Sequence, residues 1–87
     1  MKNIKVTKRY VDVICLNNKY GELKPLTLIW DENNRIPILD VKDVTPNATL
    51  FINGTGLRYT CIFKNHKEKH LYYDRGKWYV ELAEHMI

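Results

Sequence analysis

Short runs in which large apolar residues alternate with polar ones recur along most of this chain. The clearest run is 57–63, in which every second residue is large and apolar. A polar turn at 65–69 separates it from a second strand pattern at 70–73, and the tight turn 74–77 leads into a third at 78–82. Alternation with a period of two, rich in aromatic and β-branched residues, is typical of strands that bury one face. The stretch therefore predicts an antiparallel meander of three strands.

The first half of the chain contains three further strand patterns, at 6–16, 22–30 and 35–44, joined by turns rich in asparagine. Pro25 and Pro37 lie within the second and third of these patterns. Because proline cannot donate to a β-ladder, Pro25 indicates a sheet edge or a strand that begins just after it, and Pro37 indicates an edge. No stretch of ten or more residues shows the apolar period of a helix.

Five or six short strands joined by turns predict an all-β fold. We predict a single domain over residues 1–87, a small five- or six-stranded antiparallel barrel or strongly curved sheet of the SH3-like or OB-like type. Closure of the sheet would remove the exposed edges at which small β proteins aggregate. The apolar run 50–52 is expected to form a brief strand or one helical turn at the end of this barrel. The inward-facing positions predict the following core: Val11, Val13, Leu26, Leu28, Trp30, Ile38, Tyr59, Cys61, Phe63, Leu71, Tyr73, Trp78 and Val80.

The composition places the chain among small folded proteins. Its 87 residues are 45% hydrophobic and include six Tyr and two Trp, which argues against disorder. No apolar run approaches the roughly 20 residues that span a bilayer. Lys8 and Arg9 interrupt any signal-peptide core near the N-terminus. We therefore expect a cytoplasmic protein with no membrane partner.

The two cysteines, Cys15 and Cys61, each lie inside a predicted strand among apolar neighbours. Small secreted domains usually have four or more cysteines in a disulfide framework. Both are therefore predicted to be reduced and buried, as small hydrophobic residues. A bridge between them stays open as an alternative, since cysteines on neighbouring strands can come close enough to pair.

No set of residues has the spacing of a catalytic or metal site. His66 and His70 are four residues apart, a spacing that brings two imidazoles together on a helix, but here they fall in a turn and at a strand start. Cys61 lacks the open, electropositive setting that a nucleophile needs. The Gly-Thr-Gly segment 54–56 is too short for a phosphate loop, and no helix follows it. We expect no enzyme activity, no catalytic residue, no cofactor and no metal.

Basic and aromatic residues mix on the predicted outer face of the last three strands. Exposed tyrosines beside arginines and lysines on a curved sheet are typical of proteins that bind single-stranded nucleic acid. The same residue types are enriched in protein interfaces. The remaining alternative is that these aromatic side chains are half covered and only extend a thin core. The net charge is only +4, and Glu68, Asp74 and Glu81 interleave with the cations, which favours a protein partner or a homodimer over nucleic acid. The predicted interaction face is Arg58, Tyr72, Arg75, Lys77 and Tyr79.

Four segments show a resemblance to a known family: 25–30 (PLTLIW), 40–44 (DVKDV), 54–61 (GTGLRYTC) and 71–81 (LYYDRGKWYVE). In them the chain resembles a family of small, uncharacterised bacterial β proteins. More distantly, it is similar to a β domain associated with accessory proteins of lesion-bypass DNA polymerases. The resemblance implies no catalytic residues and a setting in DNA repair or mobile-element functions, although the loop 47–53 departs from the family's glycine-rich stretch. The predicted function is a non-catalytic interaction module, self-associating or protein-binding, with a single-stranded nucleic-acid-binding module as the alternative.

Overall fold

Six antiparallel strands form a closed barrel in the computed structural model. The structure describes the backbone of residues 5–46 and 56–84 and the side chains of residues 7–46 and 56–82. The strands are β1 (Lys5–Asn17), β2 (Leu23–Asp31), β3 (Asn34–Pro46), β4 (Leu57–Phe63), β5 (Glu68–Asp74) and β6 (Lys77–Glu84). The run 50–52, for which a brief strand or helical turn was expected, lies outside the described residues.

Each strand pairs with its neighbour in sequence, and β1 also pairs with β6, which closes the barrel. The predicted small antiparallel all-β barrel is confirmed. The strand order is consecutive, as in up-and-down barrels, whereas the strands of an OB-fold follow a Greek key. The fifth strand begins earlier than predicted, because Glu68 and Lys69 still pair with Ile62 and Cys61 of β4.

The two longest strands, β1 and β3, change partners along their length. Residues 5–11 of β1 pair with β6, and residues 12–17 pair with β2. In β3, residues 34–37 pair with β2, and residues 38–46 pair with β4. The barrel thus consists of a large sheet (β4, β5, β6 and the adjoining parts of β1 and β3) and a small sheet (β2 and the remaining parts of β1 and β3), joined where β1 and β3 pass from one to the other.

A β-bulge in β2 decides which side chains of the small sheet face the core. The register shifts between Ile14 and Cys15 of β1, which leaves Leu26 without a partner there. Pro25 and Leu28 are both buried, whereas Leu26 is 39% exposed. The prediction that Leu26 belongs to the core is wrong, because the bulge inserts one residue into the alternation and reverses its phase. Bulges are among the few places in a sheet where a proline is tolerated.

The core fills the space between the two sheets. Its buried members come from β2, β4, β5 and β6: Leu28, Tyr59, Cys61, Phe63, Leu71 and Trp78. The other predicted core residues, Leu26 apart, pack against this cluster as partly buried side chains: Val11, Val13, Trp30, Ile38, Tyr73 and Val80. Every predicted core position except Leu26 is therefore confirmed.

Two side chains of the large sheet bond to the backbone of β2. The Tyr59 hydroxyl donates a hydrogen bond of 2.9 Å to the carbonyl of Leu23, and its ring centroid lies 5.1 Å from that of Trp78. Burial raises the pKa of the Tyr59 hydroxyl, which keeps it a donor at neutral pH. Arg9 donates from Nη2 to the carbonyl of Trp30 at 3.0 Å, and its guanidinium lies 3.7 Å from the centroid of that residue's indole ring.

The two cysteines differ in exposure, and both are free thiols. Cys61 is fully buried, and this burial raises the pKa of its thiol to about 11. Cys15 is exposed, contrary to prediction. Its pairing opposite the buried Pro25 places it on the inward face of β1. It is nevertheless exposed because it lies near the end of the strand, past the residues that pack on the core.

This difference predicts that only one thiol of the folded protein reacts with a water-soluble disulfide reagent. The thiolate is the attacking species, and a buried thiol with a raised pKa is both uncharged and inaccessible. Absorbance of the released chromophore should count one reactive cysteine in native buffer and two in denaturant. The Cys15→Ser variant should show none until it unfolds. Equal labelling of both thiols in native buffer would contradict the burial of Cys61.

Candidate interaction surfaces

Three tyrosines form a row across the outer face of the large sheet. The register places Tyr10 of β1 opposite Tyr79 of β6, Tyr79 opposite Tyr72 of β5, and Tyr72 opposite Arg58 of β4. Directly opposed residues have their side chains on the same face of a sheet. Tyr10, Tyr79 and Tyr72, here called the tyrosine row, therefore cross three strands and end at Arg58.

Two of the three rings in the tyrosine row are buried. Tyr72 and Tyr79 stack with ring centroids 5.0 Å apart and planes inclined by 9°, and they are only 8% and 3% exposed. Lys8 Nζ lies 4.7 Å from the centroid of the Tyr79 ring, and His70 packs edge-on against Tyr72. The expectation that both tyrosines are exposed is therefore wrong, because each ring covers the other and side chains of neighbouring residues cover them further.

Burial raises the pKa of Tyr72 to about 12, and the hydrogen bond that its hydroxyl donates to the Glu81 carboxylate acts in the same direction. The hydroxyl is thus protonated and engaged at neutral pH. A base stacks on the face of an aromatic ring. Tyr72 and Tyr79 cover one face of each other, and both rings are almost fully buried, so this pair stabilises the sheet and offers no free ring face to a ligand.

Tyr10 is the exposed member of the tyrosine row, at 60%. Its ring lies tilted against Tyr79, with centroids 5.7 Å apart, and Lys77 Nζ is 5.8 Å from its centroid. The last predicted face residue, Arg75, lies in the turn between β5 and β6, where its Nε is 3.7 Å from Asp74 Oδ1. The predicted face is thus a buried ring pair with exposed cations around it. The exposed ring of the tyrosine row, Tyr10, was not among the predicted residues.

A cluster of large aliphatic side chains is exposed on the outer face of the small sheet. Ile14, Leu16 and Leu26 are 43%, 51% and 39% exposed. Ile14 and Leu16 lie on the outward face of β1, as their alternation predicts, and the bulge places Leu26 of β2 beside them. These three residues are here called the apolar patch. Asp12 lies at one end of it, and Lys24, opposite Leu16, lies at the other.

The barrel has an open cleft between β5 and β6. These strands pair only beside their turn, from Tyr72↔Tyr79 to Asp74↔Lys77. Among the described residues, 68–71 pair with β4 alone and 80–84 pair with β1 alone. A cleft of about 1020 Å³ opens where the two strands diverge. Its apolar floor comprises Leu28, Trp30, Ile36, Phe63 and Val80.

The described residues offer neither a metal site nor a membrane-spanning helix. They contain no group of three or more His, Cys, Asp or Glu side chains placed to hold a metal ion. His66 lies in the turn before β5 with a φ of 62°, and His70 is exposed on that strand. No helix in the described part of the chain has the length and apolar character that crossing a membrane requires.

No family model matches the chain, and no curated protein or solved structure is significantly similar to it. The resemblance to small bacterial β proteins and to the polymerase-associated β domain accordingly stays a prediction, and function has to be inferred from the surfaces described above.

Proposed function

We propose that the protein is a non-catalytic interaction module that forms a homodimer through the apolar patch. The observation behind this proposal is the exposure of Ile14, Leu16 and Leu26 side by side on the small sheet. Single exposed aliphatic residues are ordinary on protein surfaces, whereas contiguous ones mark a surface that a partner covers.

The charges at the two ends of the apolar patch favour a second copy as the partner. In a two-fold dimer the same surface faces itself, and where the axis runs across the strands of the patch, a group at one end of the patch meets the group at the other end. Asp12 and Lys24 are both exposed and lie at opposite ends. An axis in this orientation would therefore bring Asp12 of one copy near Lys24 of the other and bury the aliphatic side chains between them. Charge pairs of this kind fix the orientation of an interface.

Sedimentation equilibrium tests the proposal. The wild-type protein should be dimeric at tens of micromolar in both low and high salt, because salt screens exposed charges and does not weaken apolar burial. Leu16→Asp should raise the dissociation constant by about 100-fold or more, since each copy would then bury a carboxylate in an apolar interface. A wild-type protein that is monomeric at every concentration would refute the homodimer.

Two measurements show that the effect of Leu16→Asp is local. Leu16 is half exposed, so this variant should keep the circular dichroism spectrum and melting temperature of the wild-type monomer. Tyr10→Asp introduces the same charge at an exposed position of the large sheet and should remain dimeric. Loss of the dimer in both variants would point to net charge instead of the apolar patch.

Single-stranded nucleic-acid binding is the second candidate, and it is favoured by the exposed Tyr10 ring with Lys77 beside it. Such a site offers one stacking ring, because Tyr72 and Tyr79 are buried. Affinity for a labelled oligonucleotide should then fall steeply with salt, since phosphate contacts release counterions. Lys77→Glu should abolish the binding. Absence of binding at low salt would exclude this candidate.

A further inference from the structure

We propose that the cleft between β5 and β6 binds an extended acidic peptide of a partner protein, which pairs as an additional strand with the free edges of both strands. The site is distinct from the apolar patch, which lies on the small sheet. It therefore adds a heterologous partner to the proposed homodimer and does not depend on it.

Two strand edges with unused pairing capacity face the cleft. On β6, residues 80–84 use one edge for β1, and on β5, residues 68–71 use one edge for β4. Their opposite edges have no strand partner among the described residues. Backbone N–H and C=O groups along such an edge are a template for a further strand, and several peptide-binding domains capture their ligands in this way. A peptide here would continue the ladder that the β5–β6 hairpin begins.

The floor of the cleft is suited to apolar side chains of such a peptide. Phe63 and Leu28 are buried core residues that reach the cleft, and the Trp30 ring beside them is held by the Arg9 guanidinium, 3.7 Å from its centroid. Successive side chains of a strand point to opposite faces. Every second residue of the peptide would therefore face this floor, and the intervening residues would face the rim.

The cations of the rim favour acidic residues at those intervening positions. Arg35, Lys67 and Lys69 are exposed at the cleft. None of the three forms an ion pair with a described residue. Charge-assisted hydrogen bonds from such groups to carboxylates are stronger than those between neutral groups.

The acids of the rim do not balance these cations. Glu68 accepts a hydrogen bond from Lys42 Nζ at 2.9 Å. Glu81 accepts one from the uncharged Tyr72 hydroxyl and keeps its charge, so the unpaired groups of the rim are three cations against one acid. The rim therefore presents net positive charge to an incoming peptide, which disfavours a basic segment and favours one that alternates acidic with apolar residues.

Fluorescence anisotropy with a defined probe tests the proposal. The probe is an end-capped, fluorescein-labelled octapeptide that alternates Glu with Val, and it should bind saturably. Methylation of the backbone nitrogens that would donate to the ladder should weaken binding by about tenfold or more, because it removes donors and keeps every side chain. The same peptide with Lys in place of Glu should not bind.

Charge reversal at the rim locates the site. Lys67→Glu combined with Lys69→Glu changes two exposed residues and should weaken binding by about tenfold or more. Lys19→Glu combined with Lys77→Glu makes the same change in net charge at two exposed positions away from the cleft, in the turn after β1 and at the start of β6, and should leave affinity within about twofold. In amide NMR spectra, the resonances of residues 68–71 and 80–84 should shift on binding. The amide protons of these residues should then exchange more slowly with solvent.

The outcomes separate this site from the homodimer. The Leu16→Asp variant should bind the peptide as the wild-type protein does, so either proposal can fail alone. Absence of binding at millimolar peptide, or binding that N-methylation leaves unchanged, would overturn the added strand. Self-association that Leu16→Asp preserves and that reversal of Lys67 and Lys69 removes would show that a second copy occupies the cleft, and would also overturn the proposal.

Discussion

Trp78→Ala is expected to lower the free energy of unfolding by about 3–5 kcal/mol, the range found for truncating large buried aromatic side chains. Trp78 is buried, and its ring lies 5.1 Å from that of Tyr59 and 4.7 Å from that of Tyr73, centroid to centroid. The substitution therefore removes the ring that packs β6 against β4 and β5. A domain of this size has a total stability of roughly 4–13 kcal/mol, so the loss is a large part of the whole.

Urea denaturation followed by far-ultraviolet circular dichroism measures this change. Trp78→Phe keeps an aromatic ring in the core and should lose about 1–2 kcal/mol. Tyr20→Ala alters a turn residue that is largely exposed and should stay within about 0.5 kcal/mol of the wild-type value. A Trp78→Ala protein with the wild-type midpoint would show that this ring does not stabilise the core.

Tyr79→Ala should lower the free energy of unfolding by about 3 kcal/mol, although Tyr79 lies outside the inner core cluster. Its ring is nearly fully buried on the outer face of the large sheet, stacked on Tyr72 and in contact with Tyr10. Cross-strand aromatic pairs add stabilisation beyond their buried area. The substitution removes the middle ring of the tyrosine row and leaves the other two without a common neighbour.

Tyr10→Ala is the matched control, because it removes a ring of the same type from the same row at an exposed position. It should lower stability by no more than about 1 kcal/mol. Tyr79→Phe keeps the stacked ring and should retain most of the stability that Tyr79→Ala loses. Equal losses of stability in Tyr79→Ala and Tyr10→Ala would contradict the burial of the stacked pair and would indicate that Tyr79 is exposed to solvent.

The positions of the strands could be predicted from the sequence because alternation and turn residues are local signals. β4 has the predicted bounds, since its apolar residues recur without interruption between two polar turns. The core prediction failed at Leu26 because it assumed one unbroken alternation through β2. Whether a bulge forms depends on how β1 and β2 meet, and Pro25 was the only local hint of one.

The candidate surfaces were harder to predict, because exposure depends on what else packs on a face. Alternation placed Tyr72 and Tyr79 outside the barrel, and the two-residue turn between their strands fixes their opposition. That opposition is the signal from which the ring stack could have been predicted. The cleft had no such signal, since the point at which β5 and β6 diverge is set by the twist and closure of the whole barrel.

The pairing of β1 with β6 bears on the kinetics of folding. Five of the six strand pairs join strands that follow one another, so each forms after closure of one connection of ten residues or fewer. The sixth joins residues 5–11 to residues 78–84, from opposite ends of the described chain. The entropy lost in closing a loop grows with its length, and non-local pairings slow folding. The hairpins can therefore assemble from local contacts, and the docking of β1 on β6 is expected to be the late, rate-limiting step.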